Sequence, residues 1–80
     1  MHELGVLLHA VRTVNNVAQK NSIKKVKHIT LEVGDESGYV PAFLHKLFPV
    51  AVDSFPVMAG CRLNTEMVPG SGLVIKEIGY

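Results

Sequence analysis

The spacing of apolar residues in the first twenty positions is the feature that most restricts the fold. These residues recur at i, i+3, i+4 and i+7, which places their side chains on one face of an α-helix. The residues that follow this pattern are Leu4, Leu7, Leu8, Val11, Val14 and Ala18. The pattern predicts an amphipathic helix from about His2 to Lys20, ended by the dipeptide Asn21-Ser22. Such a helix needs a surface against which it buries its apolar face.

Three later segments have the two-residue alternation of apolar and polar side chains that is typical of β-strands. The first covers residues 25–33, the second 61–67 and the third 73–80. Glycine-rich segments at 34–38 and 69–72 predict turns after the first two strands.

A second helix is predicted between the first two strands. Pro41 fits its first turn, where the missing N–H has no intrahelical partner to lose. The residues that supply its buried stripe are Leu44, Leu47, Phe48 and Ala51. Pro49 lies inside this pattern and cannot donate a hydrogen bond to residue 45. We therefore expect Pro49 to kink the helix or to end it early.

The order α-β-α-β-β predicts an α+β fold, with two helices packed on one face of a three-stranded mixed sheet. The β-α-β portion implies a right-handed crossover, and the last two strands are expected to form a hairpin. Eighty residues make a single domain, 1–80, with a marginal core. Apolar residues outside these elements, namely Phe55, Val57 and Met58, are expected to serve a homo-oligomer or another partner.

Composition excludes several classes of function. The net charge is +1, and the basic cluster at 20–27 has no aromatic residues among its lysines, so we expect a solvated face and no nucleic-acid partner. No apolar run approaches the roughly 18 residues of a membrane span, so no membrane association is expected. The chain lacks the features of a signal peptide and has one cysteine, Cys61, which indicates a cytoplasmic protein.

The sequence does not predict an enzyme. It contains no glycine-rich phosphate loop and no arrangement that suggests a Ser/His/Asp or Cys/His catalytic set. Cys61 falls on the apolar phase of a strand, which favours a small core residue over a nucleophile. The adjacent carboxylates Asp35 and Glu36 are interpreted as a solvated loop pair.

The amino terminus, Met1-His2-Glu3, has the chemistry of a metal chelator. The α-amine of Met1, the backbone nitrogen of His2 and its imidazole form fused chelate rings, and the amide of Glu3 supplies a fourth planar donor. Ni(II) and Cu(II) favour square-planar nitrogen coordination. The first amides of a helix have no intrahelical partner, so a metal ion can replace their protons. The alternative is a capping segment in which Glu3 interacts with the helix dipole.

The other histidines are weaker candidates for metal ligands. His28 lies off the apolar face of its strand, and His45 lies beside the apolar stripe of the second helix. His9 follows His2 by two helical turns on the same face and is close enough in sequence to approach a terminal site.

Several segments resemble, in order, the HypA-type nickel metallochaperones of hydrogenase and urease maturation. They are Met1-His2-Glu3-Leu4, LEVGDESG at 31–38, Val40-Pro41 with Leu44, GCRL at 60–63, EMVPG at 66–70 and LVIKEI at 73–78. The resemblance implies an α-β-α-β-β nickel-binding domain in which His2 binds Ni(II) with the amine of Met1 and the amide of Glu3. It also implies delivery of nickel to a [NiFe] hydrogenase large subunit or to urease, assisted by the maturation GTPase HypB.

The chain departs from this family in one respect. The family inserts a zinc ribbon, built on two Cys-x-x-Cys pairs, where this chain has only the turn at 69–72. One cysteine cannot make a four-thiolate site, so no zinc is expected. The chain is either a natural short member or a derivative whose ribbon was replaced by a turn. An alternative function is that of a protein-interaction or regulatory module that keeps the fold without delivering nickel.

Overall fold

The computed structural model describes residues 2–80 and confirms the predicted order of elements. The helices are α1 (Glu3–Lys20), α2 (Pro41–Val52) and a short 3-10 helix (Pro56–Met58). The strands are β1 (His28–Gly34), β2 (Arg62–Val68) and β3 (Leu73–Gly79). In the part of the chain that the structure describes, no helix is both long and apolar enough to cross a lipid bilayer.

The three strands form a mixed sheet in the order β2-β1-β3. Strand β2 runs parallel to β1, as a β-α-β crossover requires, and β3 runs antiparallel to β1 on its other side. The α+β fold and the mixed sheet are therefore confirmed. The predicted hairpin of the last two strands is wrong, because β2 and β3 pair with opposite edges of β1 and not with each other.

The connection at 69–72 explains how β3 reaches the far edge of the sheet. It crosses the carboxyl end of β1, where the amide of Gly34 donates to the Gly72 carbonyl at 2.7 Å and that of Glu36 donates to the Gly70 carbonyl at 2.8 Å. A Cβ at position 34 would clash with the Gly70 carbonyl oxygen. The missing side chain of Gly34 thus lets a short connection lie directly on the strand end.

Both helices pack on the inner face of the sheet. The largest fully buried side chains come from α1, β1, α2, the 3-10 helix and the link before β1; they are Leu7, Val11, Val14, Val26, Ile29, Leu31, Val33, Leu44 and Met58. On the outer face of β1, the side chains of His28 and Glu32 are only partly buried.

Of the two outcomes expected at Pro49, an early end of α2 is wrong, and so is the expectation that Val57 and Met58 serve a partner. The helix does not end at Pro49 but continues to Val52. Because Pro49 lies in the last turn, the helix loses only one hydrogen bond there, and the burial of Ala51 and Val52 holds the turn in place. Val57 and Met58 are buried in the core and are not available to a partner.

The amino ends of both helices lie at the same end of the molecule as the carboxyl end of β1. A loop at 35–40 leads from β1 into α2, and the Glu3 side chain at the start of α1 contacts Val40, the residue before α2. This contact joins the first turn of α1 to the residue that precedes α2.

Candidate metal centre

His2 is exposed and precedes the first turn of α1. Its carbonyl accepts the N–H of Val6 at 3.1 Å, which is the first hydrogen bond of the helix. The amides of residues 3–5 therefore have no acceptor within the helix. Met1, the predicted amine ligand, lies outside the described residues. The imidazole of His2 is exposed, whereas Glu3, whose amide follows it in the first turn of the helix, is only 5% exposed.

Glu3 behaves differently from a solvated first-turn acid. It is only 5% exposed, and its Oε2 accepts the backbone N–H of Val40 at 3.3 Å. Val40 precedes α2 and offers no capping side chain of its own. The carboxylate thus caps α2 from α1, much as a glutamate in a capping box reaches the N-cap amide of its own helix. Its negative charge lies near the positive ends of both helix dipoles.

This arrangement limits which groups of residue 3 can bind a metal ion. The carboxylate is buried and accepts the backbone N–H of Val40, whereas the backbone amide of Glu3 makes no hydrogen bond within the helix. Among residues 2–80, no three or more His, Cys, Asp and Glu side chains are grouped so that they could hold a metal ion. His2 therefore does not belong to a side-chain cluster of this kind among the described residues.

Two histidines lie away from His2 and have other contacts. His28 is at the opposite end of β1, where its ring packs against Gly79 and its Nε2 lies 3.9 Å from Glu77 Oε2. His45 lies on α2, and its Nε2 is 3.0 Å from the hydroxyl of Thr65 on β2. Both imidazoles thus have side-chain contacts of their own, and their weaker standing as metal ligands stays a prediction.

His9 is exposed and lines a cavity of about 300 Å³ between α1 and β3. Seven residues of helical rise separate it from His2 by roughly 10 Å along the axis. Its carbonyl accepts the Thr13 hydroxyl at 3.0 Å. The structure therefore places His9 on the side of α1 that faces β3.

Cys61 lies just before β2 and is partly buried. Burial raises the pKa of its thiol, because the charged thiolate is poorly solvated there. Its Sγ lies 3.7 Å from the carbonyl of Arg62. A thiol that resists deprotonation is a poor nucleophile and a poor metal ligand, which agrees with the sequence-based interpretation.

The loop at 34–40 contains contacts that the sequence analysis missed. Asp35 Oδ1 accepts the amide of Gly70 at 3.1 Å, so this carboxylate holds the 69–72 connection. The hydroxyl of Ser37 donates to the Gly34 carbonyl at 2.6 Å and accepts the amide of Tyr39 at 3.2 Å. These bonds order the loop that leads to Val40 and thereby the partner of Glu3. The sequence signal that could have indicated these contacts is the high frequency of Asp and Ser in turns.

Comparison with known proteins identifies related chains. The family described as "Hydrogenase/urease nickel incorporation, metallochaperone, hypA" matches residues 1–73. The chain is similar to the hydrogenase maturation factor HypA of Deinococcus radiodurans, with 33% identity over 90% of this chain and 59% of that protein. It is also similar to the protein of the same name from Streptomyces avermitilis, with 37% identity over 88% of this chain and 53% of that protein. The chain thus spans a little over half the length of these curated relatives.

A solved structure has the same fold. It is the solution structure of the Ni metallochaperone HypA from Helicobacter pylori, with a TM-score of 0.77 and 17% sequence identity. The match covers 96% of this chain and 72% of that chain. At this identity the comparison establishes the fold alone.

Proposed function

Because the chain belongs to the hydrogenase/urease nickel-incorporation family of metallochaperones, we propose that it binds Ni(II) through Met1-His2-Glu3. The donors are the α-amine of Met1, the imidazole of His2 and the backbone nitrogens of residues 2 and 3. The observation that carries the proposal is the exposed His2, followed directly by amides that lie outside the helical hydrogen-bond ladder. Four nitrogen donors of this kind suit a square-planar Ni(II) ion.

The contacts of Glu3 support backbone coordination. If the carboxylate were a ligand, it would have to leave Val40 and expose a buried side chain. Coordination by the amide leaves that contact in place. The same contact anchors the start of α1, so the backbone that would enclose the metal ion is attached to the rest of the domain.

We further propose that the bound nickel is delivered to a nickel enzyme, either a [NiFe] hydrogenase large subunit or urease. The family description and the names of the relatives support this step. A HypB-type GTPase is the proposed assisting partner, on the basis of the sequence resemblance. Because the chain covers little more than half of its relatives, delivery by these residues alone is part of the proposal.

The 69–72 connection supports a second candidate, a module that keeps the fold without delivering nickel. This connection joins β2 to β3 where, by the sequence resemblance, the family inserts its zinc ribbon, and four-thiolate zinc binding is not possible with one cysteine. Zinc is therefore not part of the proposed function. Nickel binding without transfer to an apo-enzyme would favour this second candidate.

Titration of tag-free protein with Ni(II) tests the proposed site. We expect a diamagnetic complex with a visible absorption band that is lost in His2→Ala. His28→Ala and His45→Ala are matched controls, since each removes one imidazole elsewhere, and both should retain the band. Equal loss in His28→Ala would refute the assignment. A residue added before Met1 should weaken binding, because the amine becomes an amide; unchanged affinity would exclude the amine as a ligand.

A further inference from the structure

Strand β2 has a free edge. The amide of Arg62, at the start of the strand, donates to the Lys27 carbonyl at 3.0 Å. The carbonyl of Val68, at its end, accepts the amide of Asp35 at 2.8 Å. The even-numbered residues of β2 therefore direct their backbone groups toward β1, and those of the residues between them point away. These three residues, which we name the β2 edge, are Leu63, Thr65 and Met67.

The backbone groups of the β2 edge have no partner in the described part of the chain. Strand β2 is an outer strand of the sheet, and among residues 2–80 none of these N–H and C=O groups bonds to another element. The other outer strand, β3, pairs with β1 through a register shift at Thr30/Leu31, and such an irregularity interrupts a pairing edge. The register of β2 is continuous. It is therefore the strand to which a further strand can add.

A cavity of about 400 Å³ opens at the start of β2, on the helix side of the sheet. Its apolar walls are Pro49, Val52, Phe55, Pro56 and Cys61. His45 lies one helical turn before Pro49 and contacts the Thr65 hydroxyl at 3.0 Å, so this flank of α2 faces β2. Asp53 also lines the cavity, and its charge disfavours a second carboxylate there. The cavity thus suits an apolar side chain.

The opposite face of the sheet has a basic cavity at the same end of β2. Its volume is about 290 Å³, and the residues that line it are Lys27, His28, Arg62 and Asn64. Lys27 and Arg62 are exposed, and neither forms an ion pair within residues 2–80. Their charges are therefore available to an external carboxylate.

The carboxylates on this face of the sheet do not neutralise the basic cavity. Glu66 Oε1 accepts a hydrogen bond from Lys76 Nζ at 2.8 Å. Glu77 Oε2 lies 3.9 Å from His28 Nε2, at the border of the cavity. Glu32 follows His28 by four residues, which is roughly 13 Å along β1. One carboxylate thus borders a cavity lined by two permanently charged bases and a histidine.

We propose that the β2 edge binds an extended segment of a partner protein as a fourth strand, with an apolar and an acidic residue at successive positions. Successive side chains of a strand point to opposite faces of a sheet. A strand beside residues 61–62 therefore directs one side chain into the apolar cavity and the next toward Arg62, which binds Asp or Glu. Main-chain bonds supply affinity, and the two side chains supply specificity. The proposal goes beyond nickel binding, since no proposed ligand lies at this edge.

A second copy of the chain fits this edge poorly. Among the three strands, β2 is the one that α2 approaches most closely, and the contact of His45 with Thr65 places the helix over the strand. Neighbouring strands lie about 4.8 Å apart, whereas packed helices need about 8–10 Å between their axes. Pairing of β2 with its own copy would bring two α2 helices too close together. A tail or loop segment without a helix above it avoids this clash.

Titration of metal-free protein with seven-residue peptides tests the proposal. One peptide alternates Leu with Glu, and a second alternates Leu with Lys. Two more carry N-methyl groups on the Glu peptide, either on the Leu amides, which face β2 in the proposed complex, or on the Glu amides, which face away. Methylation of the Leu amides should lower affinity about tenfold or more, because several main-chain bonds are lost. Methylation of the Glu amides is the matched control and should have a much smaller effect.

Amide hydrogen exchange locates the bound strand. At saturating Glu peptide, exchange of the Leu63, Thr65 and Met67 amides should slow about tenfold or more, because each amide gains or is shielded by the new strand. The amides of Asn64 and Glu66 already face β1 and should change less.

Charge reversal tests the acidic position. Arg62→Glu should lower the affinity of the Glu peptide about tenfold and raise that of the Lys peptide. Arg12→Glu is the matched control, because it makes the same change on the exposed surface of α1, and it should leave both affinities unchanged.

Three results would overturn the proposal: equal binding of the two N-methylated peptides, equal binding of the Glu and Lys peptides, or unchanged exchange at the β2 edge. So would sedimentation that shows a dimer whose formation slows exchange of the same three amides, because a second copy would then occupy the edge. Nickel is absent from these experiments, so failure here is separate from failure of the nickel site.

Discussion

Replacement of Glu3 tests the most informative contact at the amino terminus. Its carboxylate is buried and accepts the N–H of Val40 at 3.3 Å, although the residue also belongs to the proposed nickel site. Glu3→Ala removes the acceptor and leaves the amide before α2 without its partner. Glu3→Gln keeps a carbonyl acceptor of similar shape and removes the negative charge. The two variants therefore separate the hydrogen bond from the charge.

The magnitudes follow from the burial of the side chain. Loss of a capping acceptor costs about 1 kcal/mol, and an amide left partly buried without a partner raises the total to about 2 kcal/mol for Glu3→Ala. A domain of this size loses about 4–8 °C in Tm for each kcal/mol, so we expect a Tm lower by roughly 8–16 °C. Glu3→Gln loses mainly the helix-dipole interaction and should cost about 0.5–1 kcal/mol.

Urea and thermal unfolding of metal-free protein, followed by circular dichroism, measure these changes. Glu36→Gln is the matched control, because Glu36 is exposed in the loop, and its free energy of unfolding should stay within about 0.5 kcal/mol of wild type. At temperatures where the variants are folded, both Glu3 variants should keep the nickel absorption band, since the amide of residue 3 remains. Unchanged stability of Glu3→Ala would refute the capping contact. Loss of the nickel band in folded Glu3→Gln would show that the carboxylate is a ligand.

Three further predictions concern the strand connection, the cysteine and metal selectivity. Gly34→Ala should lower the free energy of unfolding by about 2 kcal/mol or more, because its Cβ clashes with the Gly70 carbonyl; a near-neutral change in urea unfolding would contradict the crossing of β1 by the 69–72 connection. The raised pKa of the Cys61 thiol predicts alkylation by iodoacetamide at pH 8 that is slower than that of free cysteine and becomes normal in urea. The same shift in pKa implies that the free energy of unfolding is highest below the pKa of the unfolded thiol and declines as pH rises through the pKa of the folded thiol. Fast alkylation of the folded protein would show an accessible thiolate. Cu(II) should displace Ni(II) in competition titrations and Zn(II) should compete poorly, since the proposed ligands are planar nitrogens; ready displacement by zinc would indicate a cluster of imidazoles such as His2 with His9.

The ligands of the proposed metal site could be predicted from the sequence, because the donor groups belong to adjacent residues. Met1, His2 and Glu3 are neighbours in the chain, so their ability to form fused chelate rings does not depend on a distant contact. The exposure of His2 and the free amides at the start of α1 follow from the position of the helix, which the apolar spacing also predicted. The role of the Glu3 carboxylate was not predictable, since its partner Val40 lies 37 residues away in sequence.

Local periodicity determined the helices and strands of this protein, because the spacing of apolar side chains decides which face an element can bury. The order of the strands depended on tertiary structure. The last two strands had the alternation and the turn of a hairpin, but pairing with opposite edges of β1 is possible because Gly34 has no side chain and the 69–72 connection bonds to it. Likewise, Pro49 does not end α2, because burial of Ala51 and Val52 offsets one lost hydrogen bond. In each case the deciding energy comes from atoms that are distant in the chain and close in space.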